Sequence, residues 1–325
     1  MVKARNYSIE VMKFIATLAI FNHLAQPFYG KWTMLATGGV VGCSIFFFCS
    51  GFTLTMGNLN DRFDSWYKRR LARLWPTCIA VTCLYGIVGQ DYRGGVLFAL
   101  SGAGWFVTCI LIHYAVFYWS NRFWEKRIGL QIIIALSLVL VWWLILLVQK
   151  SAIVTSVYGG SYFRWALYYL FFLMGAAVSQ NKMTCSKVSR RPMRNMITSL
   201  FCMIAFYTIN FGIKDHSVWA RYQIVSLLPL ALFVYYLYVA LEGLSRMVTT
   251  KVYVIIPVVG SLSLEMYLVG RFGAEFAPLG LGPISYGLGL LLALSLAYVV
   301  RTFGRLFAQT ISTQREYDWK EIVRL

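Results

Sequence analysis

Of the 325 residues, 59% are hydrophobic, 17% aromatic and only 13% charged, against about 45–50% apolar and about 25% charged residues in soluble domains. That balance excludes a water-soluble globular fold and makes a lipid bilayer the chain's first partner. The formal net charge of +18 would suit nucleic acid if the basic residues formed one stripe on a soluble surface. They lie instead in clusters between apolar runs, which excludes nucleic acid.

The apolar runs recur from Tyr7 to the neighbourhood of Ala308 with short polar breaks, leaving room for no separate soluble domain. The expectation is an all-α, polytopic transmembrane helix bundle forming one domain over residues 1–325. A helix crossing the hydrocarbon core needs about 20 residues. Ten such spans are predicted, at 7–27, 38–58, 75–91, 103–120, 129–149, 161–180, 196–213, 221–241, 253–270 and 284–308.

The first span follows Lys3 and Arg5 and so resembles a secretory signal. Glu10, Lys13 and His23 interrupt it and no small-residue cleavage pattern ends it, so it reads as a retained helix. Ionisable side chains cost about 2.5–3.5 kcal/mol at the centre of a membrane helix and are functional candidates by default. Glu10 and Lys13 are three residues apart and share a helical face; they are either a working pair or a mutually satisfied pair reaching the interface. His23 lies about 15 Å further along the helix, toward the outer half of the membrane. A neutral imidazole there is suited to taking a proton from a hydroxyl, or to bonding between helices.

The second span carries GVVGCSIFFFCSGFTL, Gly39 to Leu54, and DRFDSWYKRRLARLWP, Asp61 to Pro76, leads into the third. Lys68, Arg69, Arg70 and Arg73 can hold anionic headgroups at about 1 kcal/mol per basic residue. Arg69, Arg70 and Arg73 can also gather on one side of a helix, an arrangement for bidentate contacts to several phosphates, such as those of coenzyme A. The fourth span contains Trp105, Phe106 and His113, the last read as a buried, satisfied histidine. Arg164 opens the sixth. Glu265 lies well inside the ninth and needs a counter-charge, a proton or water, with Lys13 or Arg164 as candidate partners. Of the seven cysteines, Cys43, Cys49, Cys78, Cys109 and Cys202 lie in apolar runs. None shows the paired spacing of a zinc or redox site, and no metal is expected.

Orientation follows from Lys and Arg in the short loops. An even number of spans puts both termini on one side, and about 22 of the 30 basic residues fall in the loops of that side. Both termini are therefore expected in the cytoplasm.

Taken together, these residues resemble the acyltransferase-3 family of membrane acyltransferases, which includes O-acetylases of bacterial polysaccharides. GVVGCSIFFFCSGFTL is similar to the family's second helix, and YKRRLARLWP, Tyr67 to Pro76, resembles its Arg-Arg-x-x-Arg-hydrophobic-x-Pro segment. Weaker echoes are Trp105-Phe106, YFRWALYYLFFLMG ending at Gly175, and GSLSLEMYL from Gly260 to Leu268. In IEVMKFIATLAIFNH, Lys13 takes the place of the family's basic residue and His23 that of its essential histidine. Their separation is one residue shorter than usual, leaving them about 80° apart on a regular helix. The family's ninth helix often continues to a histidine where this chain has Gly270.

The resemblance implies a multi-pass protein of the cell membrane that moves an acyl group, most simply acetyl from acetyl-CoA, onto a sugar hydroxyl of a cell-surface or lipid-linked glycan. Lys13 with Arg69, Arg70 and Arg73 would hold the acyl-CoA phosphates at the cytoplasmic face. His23, with Lys13 and Glu10 as its catalytic companions, would act as general base or as covalent relay. Ser50, Gly51 and Asn22 are the candidates for stabilising the oxyanion. A transporter or flippase of a lipid-linked glycan, with Glu10, Lys13, His23 and Glu265 lining its path, is the alternative, although no internal symmetry of the kind such proteins show is present. A glycan polymerase would need larger outer loops than this chain has.

Overall fold

The structure, a computed structural model, describes residues 6–57, 59–88, 104–124, 127–159, 161–181, 188–214, 219–246, 255–277, 283–311 and 316–323. Every regular element among them is helical: α1 Tyr7–Leu24, α2 Gly39–Thr55, α3 Phe63–Val88, α4 Trp105–Phe123, α5 Ile128–Val148, α6 Phe163–Gln180, α7 Pro192–Lys214, α8 Leu227–Ser245, α9 Ile255–Ser261, α10 Ser263–Phe276, α11 Pro283–Ile311 and α12 Trp319–Ile322. Short 3-10 segments at Gln26–Leu35, Ala152–Thr155 and Trp219–Ser226 connect them.

Four helices among the described residues are long and apolar enough to cross a membrane: α5, α7, α8 with the 3-10 turn before it, and α11. A fifth crossing is reached if α1 and the segment Gln26–Leu35, bent by 97° against each other, are one broken span. In α5 the 21 residues reach about 30 Å, the thickness of the hydrocarbon core. Its side chains Ile133, Leu138, Val141, Leu144 and Val148 are exposed. An apolar helix that leaves such a face uncovered is matched only by lipid.

Each predicted span overlaps at least one of these helices, but three boundaries shift. The first span ends at Leu24, where Gln26-Pro27 starts the sharp bend. The third begins twelve residues early, because Phe63 to Trp75 continues the helix through Pro76. The ninth is two helices. The break falls at Leu262, while Ser261 bonds back to the Val258 carbonyl at 2.8 Å, and residues 253–254 of that span lie outside the described residues.

The chain forms two compact units. Unit 1 comprises residues 1–12, 43–58 and 119–253; unit 2 comprises 13–42, 59–118 and 254–325. In unit 1, α2 crosses α6 at a pair of glycines. A Cβ on Gly51 would collide with the Phe172 carbonyl, and one on Gly175 with that of Phe48. The backbones approach because both positions lack side chains, as in close-packed membrane helices generally. Around the crossing, Phe47 stacks on Tyr168 at 5.0 Å, and Phe48 and Phe52 pack on Tyr238. A second cluster, Val139, Leu146, Val154, Val157, Phe163, Leu167 and Ile224, joins α5 to α6. Gln223 braces it by accepting from the Val157 amide and donating to Asn210.

In unit 2, α11 packs along α10 and crosses α3. At that crossing, a Cβ on Gly304 would stand 3.1 Å from the Thr77 nitrogen. Tyr85 packs on Phe272 and Phe106 on Tyr267, each at 4.5 Å. Thr77 and Tyr85 thus anchor α3 from its middle to its C-terminal end.

Candidate functional site

Of the six site residues predicted from sequence, Lys13, His23, Arg69, Arg70 and Arg73 belong to unit 2 and Glu10 to unit 1. Lys13 and His23 lie on one uninterrupted α-helix, so their separation of about 80° around its axis stands. No turn of looser or tighter helix brings them into line.

The surroundings of His23 are built by glycines. Gly38, Gly39 and Gly42 bring the start of α2 against the C-terminal half of α1. A Cβ on Gly38 would lie 2.6 Å from the Ala19 carbonyl, one on Gly42 2.6 Å from Ile20 Cγ1, and one on Gly39 2.7 Å from His23 Cδ2. Gly38 also has φ +106, a conformation glycine adopts without the penalty of a side chain. The imidazole therefore lies directly on the Gly39 backbone. Its Nδ1 is 3.3 Å from the Ala36 carbonyl. With the proton on Nδ1 donated to that carbonyl, Nε2 keeps its lone pair, the arrangement a general base needs. His23 is exposed on the protein surface, so its ring can be reached from outside the helix pair.

The loop beyond His23 is held by Asn22, whose Nδ2 donates to the carbonyls of Leu35 and Thr37 at 2.9 Å each and whose Oδ1 accepts from the Tyr29 hydroxyl. Tyr29 and Phe28 pack edge-on against Tyr286. This assigns Asn22 a structural task. Both of its amide hydrogens are committed, so it cannot serve as the oxyanion donor considered above. Gly51 is likewise a packing glycine inside α2, and Ser50 beside it belongs to unit 1.

The arginines of YKRRLARLWP share one arc of α3, within about 100° by helical geometry. Arg69 is ion-paired with Asp61. Arg70 lies 5.4 Å over the Trp66 ring, a cation–π contact, and its Nε is buried without a hydrogen-bond partner among the described residues. Burial pulls the Arg70 guanidinium below its ordinary range, and the neighbouring Arg73 and Arg69 add to that. Trp66 is fully buried against Tyr118, whose hydroxyl donates to the Asp61 carbonyl at 2.7 Å. Arg73 is exposed and donates no hydrogen bond to any described residue. The segment thus presents three guanidiniums held in different ways: one by a carboxylate, one by an indole face, one projecting.

His113 is buried as expected, and its Nε2 is 3.5 Å from Cys109 Sγ one turn earlier. Glu265 is 7% exposed and occupies the first turn of α10. The cations whose field reaches it are Arg301, Arg305 and Arg73. Lys13, one of the partners suggested from sequence, is not among these charges, and Arg164, the other, belongs to unit 1. The sequence assigned Arg301 and Arg305 no role in a site. Their spacing of four residues on one helix face was the available signal.

The model of the acyltransferase domain family Acyl_transf_3 matches residues 6–302. The chain belongs to the acyltransferase-3 family. It is accordingly a membrane acyltransferase. No curated protein and no solved structure gave a match. Within the matched region lie His23, the α3 arginines, Glu265 and Arg301; Arg305 follows three residues beyond it.

Proposed function

We propose that this acyltransferase takes its acyl group, most simply acetyl, from acyl-CoA at the cytoplasmic side and transfers it to a hydroxyl of a cell-surface or lipid-linked glycan. The observation that carries this reading is the pairing, within unit 2, of a guanidinium cluster on α3 with an exposed imidazole whose Nε2 keeps its lone pair. Arg69, Arg70 and Arg73 bind the donor phosphates, and the desolvated Arg70 Nε gains a partner there. Lys13, near the start of α1, supplies a further cation, with Glu10 on the same helical face. His23 Nε2 takes the proton of the acceptor hydroxyl as its oxygen attacks the thioester carbonyl. The coenzyme A thiolate leaves and is protonated.

About 15 Å of helix separates Lys13 from His23. That is the reach over which an extended donor arm would carry the acyl group from its phosphates toward the outer half of the membrane. The ten-crossing topology with cytoplasmic termini in the cell membrane belongs to the same reading. It is supported by the alternation of basic loops and by the overlap of every predicted span with a helix.

The test is acyl transfer from labelled acetyl-CoA by the purified protein, with and without glycan acceptor. His23→Ala abolishes transfer while coenzyme A binding and folded yield stay at the wild-type level. Unimpaired acylation by that variant overturns the role of His23. A folded wild-type protein that binds no coenzyme A overturns the donor assignment and favours a transport function.

A further inference from the structure

The catalytic reading leaves Glu265 and the two arginines of α11 without a task. Glu265 is a buried carboxyl whose Oε2 has no hydrogen-bond partner among the described residues. A buried polar atom left in that state costs about 1–3 kcal/mol, more when charged, and such a cost is retained where a site is being prepared. The charges acting on it come from two other helices: Arg73 of α3, and Arg301 and Arg305 of α11.

Backbone geometry explains why they converge. Gly304 sits against Thr77 at the crossing of α11 and α3. Arg73 is one turn before Thr77, while Arg301 and Arg305 flank Gly304 along α11. The contact between the two helices therefore lies within one turn of all three arginines along the chain, and all three act on Glu265.

The two α11 arginines are held differently. Arg305 donates from Nη1 to the carbonyls of Glu321, at 2.8 Å, and Ile322, at 3.4 Å. It is a strut tying the buried Ile322 of α12 to α11. Arg301 donates from Nη1 to Ser261 Oγ at 2.7 Å. That serine stands at the break between α9 and α10, four residues before Glu265. Arg301 is thus aimed by a hydroxyl and drawn by the field of a buried carboxylate, and it is only partly buried.

We infer that Arg301 is a phosphate-binding residue that completes, from α11, the anion site begun by Arg73 on α3, with Glu265 as the positioning residue that keeps the two like-charged guanidiniums side by side. The inference rests on the donor reading above. A guanidinium matches phosphate bidentately, and two from different helices can grip one phosphate from two directions. The phosphate chemistry is shared by the donor and by anionic lipid headgroups; the donor is favoured because Arg73 belongs to the same arc as Arg69 and Arg70.

The experiment measures coenzyme A binding to purified full-length protein in a zwitterionic detergent free of anionic lipid, for wild type, Arg73→Ala, Arg301→Gln and Glu265→Gln. Thermal stability in phosphatidylcholine nanodiscs with and without phosphatidylglycerol is measured in parallel. The expected result is coenzyme A binding about 10- to 100-fold weaker in Arg301→Gln. In Glu265→Gln the KM for acetyl-CoA rises more than kcat falls, and Glu265→Asp restores much of it, a split that loss of packing alone would not give.

If wild type and Arg73→Ala behave as the donor reading requires but Arg301→Gln binds coenzyme A normally, the inference is overturned and the donor reading stands. If in addition only the phosphatidylglycerol stabilisation is lost in Arg301→Gln, the phosphate is a lipid headgroup's and the donor assignment of Arg301 is wrong. Should Arg301→Gln not purify folded, Ser261→Ala removes the bond that aims the guanidinium. A several-fold weakening is expected there, and an unchanged affinity overturns the inference. No coenzyme A binding by wild type would count against the donor reading itself.

Discussion

Gly39→Ala isolates the position of the His23 ring from its chemistry. The new Cβ would stand 2.7 Å from Cδ2 and 2.9 Å from Cγ, where ordinary contact begins at 3.4 Å, so the ring must retreat by about 0.7 Å. The alternative, moving the start of α2 away from α1, would open the close contacts of Gly38 with Ala19 and of Gly42 with Ile20. Rotating the imidazole about 30° off its rotamer costs about 0.5–1.5 kcal/mol. It also loosens the Nδ1 bond to Ala36, worth about 0.5–1.5 kcal/mol.

Alanine is the better helix former by about 1 kcal/mol, so folding stability changes little. Catalysis is more sensitive, since a misplacement of about 1 Å can cost about 100-fold in rate. The expected outcome is a fall in kcat for acyl transfer of about 100-fold, with coenzyme A affinity within two-fold of wild type and a melting temperature within a few degrees. The assay is steady-state transfer from labelled acetyl-CoA beside a thermal melt of the same preparation. A kcat within three-fold of wild type would refute the reasoning, because the ring's seat on Gly39 would then be irrelevant to the reaction.

Gly51→Ala behaves oppositely. Its Cβ meets the Phe172 backbone rather than a side chain that can rotate, so α2 and α6 must separate. A loss of about 1–3 kcal/mol or more is expected, read as a lower melting temperature and folded yield, and an unchanged melt would dismiss the crossing as the determinant. Asn22→Ala deletes two donors and one acceptor that hold the loop 26–35; at about 0.5–1.5 kcal/mol per bond it should speed hydrogen exchange at residues 26–37 while leaving α5 to α8 protected. Equal exchange in that loop would show that Asn22 does not clamp it.

Much of this protein was legible in the one-dimensional pattern. Apolar runs of about 20 residues in a chain this poor in charge specify membrane helices, since no other solvent accepts them, and α5, α7, α8 and α11 follow the predicted spans closely. His23 and the RRLAR arginines stood out because ionisable groups are rare in such a chain, and the family match covers the stretch that contains them.

What only the tertiary structure decided depends on contacts between residues far apart in sequence. Spacing shows that Arg69, Arg70 and Arg73 share an arc; it cannot show that Asp61 holds the first and Trp66 the second. Gly39 and Gly42 appeared in sequence only as letters of the second-helix motif, and it is the approach of α1 that makes them, with Gly38, the seat of His23. Asn22 could equally have been an oxyanion donor until its hydrogens were found committed to Leu35 and Thr37. Glu265 needed a counter-charge, a proton or water by its sequence; that the cations acting on it come from α3 and α11, which meet at Gly304 and Thr77, is a matter of packing. Periodicity reports which face of a helix is apolar; which helix then covers that face, and which polar groups arrive with it, is a property of the packed chain.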